Sequence, residues 1–184
     1  MTEVCLKKFN NSWYDPGASL LKRTAWFFVN ALFFLNPLNP SSSAKVFLLR
    51  LFGARLGTGI IIKPSVNIKY PWLLEAGNDV WIGEGVWIDN LAKVTIGNNV
   101  CISQGAMLLT GNHNYKKEAF DLIVGPLVLD DGCWVGAKAV VCPGVTCGVC
   151  SMLAAGSIAN KNLQSHGIYQ GNPAVLIRTR EIGS

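Results

Sequence analysis

From residue 129 to residue 161 the chain reads Leu129-Asp-Asp-Gly-Cys-Trp-Val135-Gly-Ala-Lys-Ala-Val-Val141-Cys-Pro-Gly-Val-Thr-Cys147-Gly-Val-Cys-Ser-Met-Leu153-Ala-Ala-Gly-Ser-Ile-Ala159-Asn-Lys161. Every sixth position in this stretch is an apolar anchor: Leu129, Val135, Val141, Cys147, Leu153 and Ala159. Ile96, Ile102 and Leu108 keep the same step before it. Four residues after most anchors stands a small or β-branched side chain, as at Val100, Ala106, Cys133, Ala139, Val145, Ser151 and Ser157. Further upstream the step runs through Leu56, Ile62, Ile68 and Leu74. It then slips by two residues before Ile82 and Ile88, and again before Ile96.

A six-residue period decides the fold class. Six residues make one short flat strand and a corner, so three hexads close a triangular coil of about eighteen residues. Anchors point inward and the small residues pack beside them. No hexad buries its own apolar face, so stability comes from stacking coil on coil at about 4.8 Å. A sandwich of ordinary strands has no reason to keep such a period. The expectation is an all-β solenoid, a parallel β-helix of about five coils. It would occupy residues 55–161, after an arm and helical hairpin in residues 1–54 and before a tail in residues 162–184.

The runs Ile82-Gly-Glu-Gly-Val-Trp87, Ile96-Gly-Asn-Asn-Val100, Val135-Gly-Ala-Lys-Ala-Val140, Val141-Cys-Pro-Gly-Val-Thr146 and Gly171-Asn-Pro-Ala174 resemble the left-handed hexapeptide-repeat acyltransferases. Within them the chain is most similar to the colanic-acid and exopolysaccharide O-acetyltransferases, with galactoside, maltose and nodulation acetyltransferases as cousins. The resemblance covers residues 50–182. Handedness is implied by the resemblance alone, because parallel crossovers otherwise run right-handed. The resemblance also implies a homotrimer, acetyl-CoA as cosubstrate and a sugar acceptor.

Composition sets further bounds. Half of the 184 residues are hydrophobic and 15% are charged, enough apolar material for one substantial core. The net charge of +5 resides entirely in residues 1–55, and the rest of the chain is neutral. Such a local surplus points to an anionic partner at the N-terminal end and not to a nucleic-acid-binding protein. Five of the six cysteines fall at scattered phases of the repeat, which suits buried thiols in a reducing compartment. Cys147-x-x-Cys150 lacks a second pair, so no metal site is expected. Met1–Asn11 is polar and has no apolar run of a secretory leader. The expected location is the cytoplasm, at the inner face of the membrane if the N-terminal part binds lipid.

Residues 1–18 read as a polar arm that ends in the turn Asp15-Pro16-Gly17. Ser19 is placed to cap a helix from Leu20 to Leu35, apolar on all sides over its second half except at Asn30. It is shorter than the roughly 20 residues a membrane span requires. Asn36 to Pro40 breaks it, Ser41 caps a second helix whose face is Ala44, Phe47, Leu48 and Leu51, and Gly53 stops that helix. The hairpin of residues 19–52 has two compatible readings. It covers an open coil edge, or it lies in a membrane interface as basic, aromatic helices do. Trp81 and Trp87 stand at non-anchor positions and must point out of the prism, toward a neighbouring subunit or a groove.

Residues 109–128 break the six-residue step, and a long loop in a compact repeat protein is usually functional. His113 lies there between Asn112 and Asn114. The resemblance implies that it is the catalytic base, since a hydroxyl must lose its proton to attack a thioester and imidazole accepts protons near neutral pH. Direct transfer in a ternary complex needs no acyl-enzyme. By the same resemblance Asn90 matches an acceptor-binding position, Asp89 orients a sugar hydroxyl or the imidazole, and Tyr115 and Asp121 line the acceptor site. Trp134 matches a tryptophan at the acetyl end of the cofactor, beside the acceptor. Small residues let pantetheine lie close to backbone at Gly136, Ala137, Ala154, Ala155 and Gly156, although the hexad also demands small residues there. By the same resemblance Lys161, Arg178 and Arg180 are the basic groups for the CoA phosphates, although a merely solvated tail is an equal reading of them. His166 reads as structural, and two histidines are too few for the three-imidazole zinc site of carbonic anhydrases that share this fold. Two other functions stay open: N-acetylation of an amino sugar, and a non-catalytic membrane-associated β-helix.

Overall fold

A computed structural model describes residues 3–183; residues 1, 2 and 184, at the ends of the arm and tail, lie outside the described residues. The chain forms a parallel β-helix whose three flat faces carry 5, 7 and 5 strands. The first face stacks Arg55–Leu56, Leu74–Ala76, Val94–Ile96, Leu127–Leu129 and Thr146–Cys147. Ile61–Ile62, Trp81–Ile82, Cys101–Ile102, Trp134–Val135, Met152–Leu153 and Gly167–Gly171 build the second face, with Ala174–Thr179 folding back antiparallel on the last of them. The third face stacks Asn67–Ile68, Trp87–Asp89, Met107–Leu109, Val140–Val141 and Ile158–Ala159. Five coils are complete, and Leu163 with the Gly167–Gly171 strand begins a sixth.

The anchors do what their spacing requires. Ile62, Ile68, Ile82, Ile88, Ile96, Ile102, Leu108, Leu129, Val135, Val141, Cys147, Leu153 and Ala159 are all buried, as are the small residues beside them. Each in-register stack removes apolar surface at about 25 cal/mol per Å², and no coil could retain that alone.

The two-residue slips also have a structural cause. In the early coils equivalent positions are 20 residues apart, as Thr58 and Asn78. In the later coils they are 18 apart, as Cys133 and Ser151. The extra residues sit at the corner between the third and first faces, where Pro71–Leu73 forms a short 3-10 turn. The long excursion leaves from that same corner and widens the step to 33, as between Asn98 and Asp131.

The helical hairpin covers the open N-terminal end of the solenoid. Helix α1 spans Leu20–Val29, with Ser19 capping it through Lys22 N at 3.3 Å. The sequence leads one to expect this helix to run to Leu35, but it widens into a π-helical turn over Asn30–Phe34. There buried Asn30 turns its amide onto Asn67 Oδ1 at 2.8 Å. Trp26 is buried, its indole N–H donating to Ile68 O at 2.8 Å.

Helix α2 spans Ser42–Leu51 and is capped by Ser41. Its inner face differs from the expected one: Phe47 and Leu51 are exposed, whereas Lys45 and Leu49 are buried. Hydrogen bonding decides the rotation. The Lys45 ammonium donates to Asn39 O at 2.8 Å and Lys63 O at 3.0 Å, carbonyls that the first coil and the hairpin turn leave without strand partners. Burial nevertheless pushes Lys45 below its ordinary value.

The core predicts an alkaline limit. Burial, with a smaller contribution from Cys133 and Asp130, raises the Cys147 thiol above its ordinary value of 9.0, and burial also raises Cys133 and Cys142. A raised thiol is protonated in the folded chain where the unfolded chain has released its proton, so stability present below about pH 9 is lost as pH rises further. Tyr14, also raised by burial, acts in the same sense as the thiols, and Lys45 acts in the opposite one, one group against four. Denaturant midpoints should therefore fall from pH 8.5 to 10, and the fall should be shallower in Cys147→Ala than in wild type; equal slopes would contradict this origin.

Candidate active site

The excursion is an ordered hairpin. Thr110 is buried at its base, where its hydroxyl donates to Asp89 O and accepts from Ala92 N, both at 2.9 Å. Gly111–His113 then pairs antiparallel with Leu122–Val124, and Gly125 N closes the base on Thr110 O at 2.9 Å. Leu109 and Leu127–Leu129 belong to solenoid strands, so the hairpin itself is shorter than the break in the six-residue step.

His113 ends the outgoing strand opposite Leu122. Its Nδ1 lies 2.9 Å from the carbonyl of Phe120. A carbonyl can only accept, so Nδ1 carries a proton and, in the neutral ring, Nε2 is the acceptor nitrogen. The imidazole also stacks on the Phe120 ring, with centroids 4.4 Å apart and an 8° tilt. Phe9, from the N-terminal arm, approaches it at 5.6 Å and 56°. The sequence offered no sign of this last contact, because a lone phenylalanine in Lys7-Lys8-Phe9-Asn10-Asn11 has no periodic partner.

The other acceptor candidates separate. Tyr115 is 74% exposed near the hairpin tip. Asp121 accepts from Lys117 Nζ at 3.1 Å. Asp89 pairs with Lys69 at 2.9 Å, within a cleft of about 550 Å³ that lies between α1 and the third face and is also lined by Phe27, Phe28 and Trp87. Asn90 is corrected by the structure. It is fully buried, its Oδ1 accepting from Tyr70 N at 2.9 Å and its Nδ2 donating to Tyr70 O at 2.6 Å. Fully buried and bonded to both polar groups of the Tyr70 backbone, Asn90 locks a corner and presents no surface to a ligand in this chain.

Trp134 lies on the second face, its indole N–H donating to Ser103 Oγ at 2.9 Å, and stacks in register between Cys101 and Met152. A groove of about 450 Å³ on this face is lined by Trp81, Ser103 and Gln104 among others. Gly136, Ala137, Ala154, Ala155 and Gly156 form one column at the corner between the second and third faces, tied by the bond from Gly156 N to Ala137 O. The basic candidates do not join them. Lys161 follows the last strand of the third face, and Arg178 is exposed on the final strand. Arg180 sits at the opposite corner, donating to Gly132 O at 3.0 Å and Cys150 O at 3.3 Å. Its guanidinium is thus turned to the solenoid backbone. Among the described residues no three His, Cys, Asp or Glu side chains come together as metal ligands could.

Comparison with known proteins places this geometry. No protein-family model matches the chain. The protein of Escherichia coli (strain K12) named "Putative colanic acid biosynthesis acetyltransferase WcaF" is 38% identical over 164 residues, which cover 89% of this chain and 90% of that protein. The chain belongs to the hexapeptide-repeat acetyltransferases. Another relative in this family, the galactoside O-acetyltransferase of Escherichia coli (strain K12), is 28% identical over 71% of this chain and 66% of its own length. Among solved structures, a hexapeptide-repeat acetyltransferase of Vibrio cholerae O1 biovar eltor complexed with acetyl-CoA superposes with a TM-score of 0.77. It is 23% identical and covers 90% of this chain and 92% of that one. A galactoside acetyltransferase in complex with coenzyme A superposes with a TM-score of 0.71 at 24% identity, over 88% and 82%. As a hexapeptide-repeat acetyltransferase the chain is an enzyme, with a β-solenoid body and a small helical N-terminal region.

Proposed function

We propose that this acetyltransferase moves an acetyl group from acetyl-CoA to a sugar hydroxyl of a cell-surface polysaccharide precursor, with His113 as general base. The observation that carries this reading is the bond from His113 Nδ1 to Phe120 O, which leaves Nε2 free as an acceptor. In a ternary complex the acceptor oxygen attacks the thioester carbonyl carbon while its proton passes to Nε2. The tetrahedral oxyanion then collapses, the carbon–sulfur bond breaks, and the CoA sulfur departs with the proton returned from the imidazolium. Exposed Ala155 and Gly156 leave room for pantetheine along their corner, and exposed Lys161 and Arg178 are the free cations for its phosphates.

A trimer is the proposed assembly. Ile61, Trp81, Cys101, Trp134, Met152 and Ile168 form an outward apolar ladder on the second face, which lateral packing would cover.

The decisive test of the acceptor class is product chemistry. Acetyl-CoA is incubated with glycosides bearing either free hydroxyls or an amine, and products are treated with mild base. Base-labile acetyl esters are expected; stable amides alone would establish the amino-sugar alternative.

We further infer that the hairpin meets the inner face of a membrane from the cytoplasm. No helix among the described residues is long and apolar enough to cross one. Phe27, Phe28 and Leu32 on the hairpin are 66%, 57% and 63% exposed, and the chain's surplus positive charge lies in the same region. Leu32→Ser with Phe47→Ser, both exposed on the hairpin and outside the cleft that holds Asp89, should weaken binding to anionic vesicles by about tenfold or more while leaving acetylation of a soluble acceptor intact. Unchanged vesicle binding would reduce the hairpin to an end cap.

A further inference from the structure

We propose that Phe9, carried by the N-terminal arm, is a positioning residue for His113. The inference rests on His113 being the base. It concerns how the imidazole is held and not what it does.

The need for an external brace comes from the loop. Both internal constraints on His113, the Nδ1 bond and the parallel stack, come from Phe120. Phe120 stands at the end of the irregular turn between the hairpin strands, with φ at 51°. That is the left-handed region, which a bulky L-residue holds only when the surroundings over-determine it. The turn's own bonds, Asn114 N to Asp121 O and Phe120 N to Lys117 O, are all local.

The arm supplies the missing restraint from outside. Cys5 N donates to Glu118 O at 2.9 Å, and Lys8 Nζ pairs with the Glu118 carboxylate at 2.7 Å, two residues before Phe120. Past Phe9 the arm is tied again: Tyr14 hydroxyl donates to Leu91 O at 2.7 Å, and Trp72 indole N–H donates to Pro16 O at 2.6 Å. Phe9 therefore sits on a segment pinned on both sides, against the imidazole at a 56° tilt that differs from the stack on Phe120. Exposed ion pairs such as Lys8–Glu118 contribute little singly. Here the backbone bond, the ion pair and the ring contact restrain one loop and one side chain together.

The test compares Phe9→Ala with Phe9→Tyr in the full chain. With His166→Asn in the background, His113 is the single imidazole and its ring protons are read directly by NMR. In Phe9→Ala, kcat should fall by roughly ten- to a hundredfold at unchanged KM for acetyl-CoA. The His113 ring protons should move as one aromatic neighbour is lost. Phe9→Tyr keeps the ring and should restore both. Unmoved imidazole resonances, a loss confined to KM, or a loss that tyrosine does not rescue would each overturn the proposal. Activity retained in His113→Ala would overturn the base assignment instead, and the NMR comparison would still decide the brace.

Discussion

His113→Ala is expected to lower turnover by about 10²–10⁴-fold while acetyl-CoA still binds. The size follows from what is removed. A sugar hydroxyl remains protonated near neutral pH, and without Nε2 the proton must go to water as the carbon–oxygen bond forms. Binding should survive because His113 stands on the hairpin and not on the solenoid wall where the small-residue column lies. Removal of the side chain also leaves Phe120 O without its donor, but that carbonyl is in a part-buried surface turn that water can reach, so the fold should be little affected. Phe120→Ala makes a useful contrast. It keeps the backbone carbonyl that fixes the tautomer and loses only the stacking ring, so its defect should be smaller. Equal turnover in His113→Ala and wild type, measured with saturating donor and acceptor, would remove the histidine from the chemistry.

Gly136→Ala is expected to cost about 1–3 kcal/mol of stability, or about 2–12 °C in a chain of this size. A Cβ built at Gly136 would lie 2.6 Å from Ala155 N and 2.7 Å from Leu153 O, backbone atoms of the next coil that cannot turn aside. The glycine is therefore set by coil stacking. Gly156 presents the opposite case: its φ is 69°, and nothing lies within 4 Å of an added Cβ. Gly156→Ala should cost only about 1 kcal/mol, from backbone preference. If CoA runs along this corner, it is Gly156→Ala that raises KM for acetyl-CoA. A thermal midpoint for Gly136→Ala equal to that of wild type would contradict the stacking account.

What could be read from the sequence follows from how local each cause is. The inward anchors repeat every six residues, so face and burial were legible for Ile62 as for Ala159, and outward Trp81 and Trp87 followed by exclusion. The place of His113 on the excursion was legible because the break in the period isolates it, whereas its role as base came from the resemblance. Lys45 was not, since a buried lysine inverts the ordinary polarity of a helix face and is explained only by carbonyls that the fold brings to it. Asn90 was read from the resemblance as an acceptor contact, and only the fold shows it buried with its amide on the backbone of Tyr70, one coil away. The arm was hidden altogether, because its contacts with Glu118 and His113 span more than a hundred residues and leave no periodic trace.

The measurement that bears most directly on the central claim is release of free CoA from acetyl-CoA, with a panel of glycosides and nucleotide sugars, by wild type and His113→Ala side by side. Release that depends on the acceptor in wild type and falls at least a hundredfold in the variant is the predicted result. Acceptor-dependent release that persists undiminished in His113→Ala would contradict it.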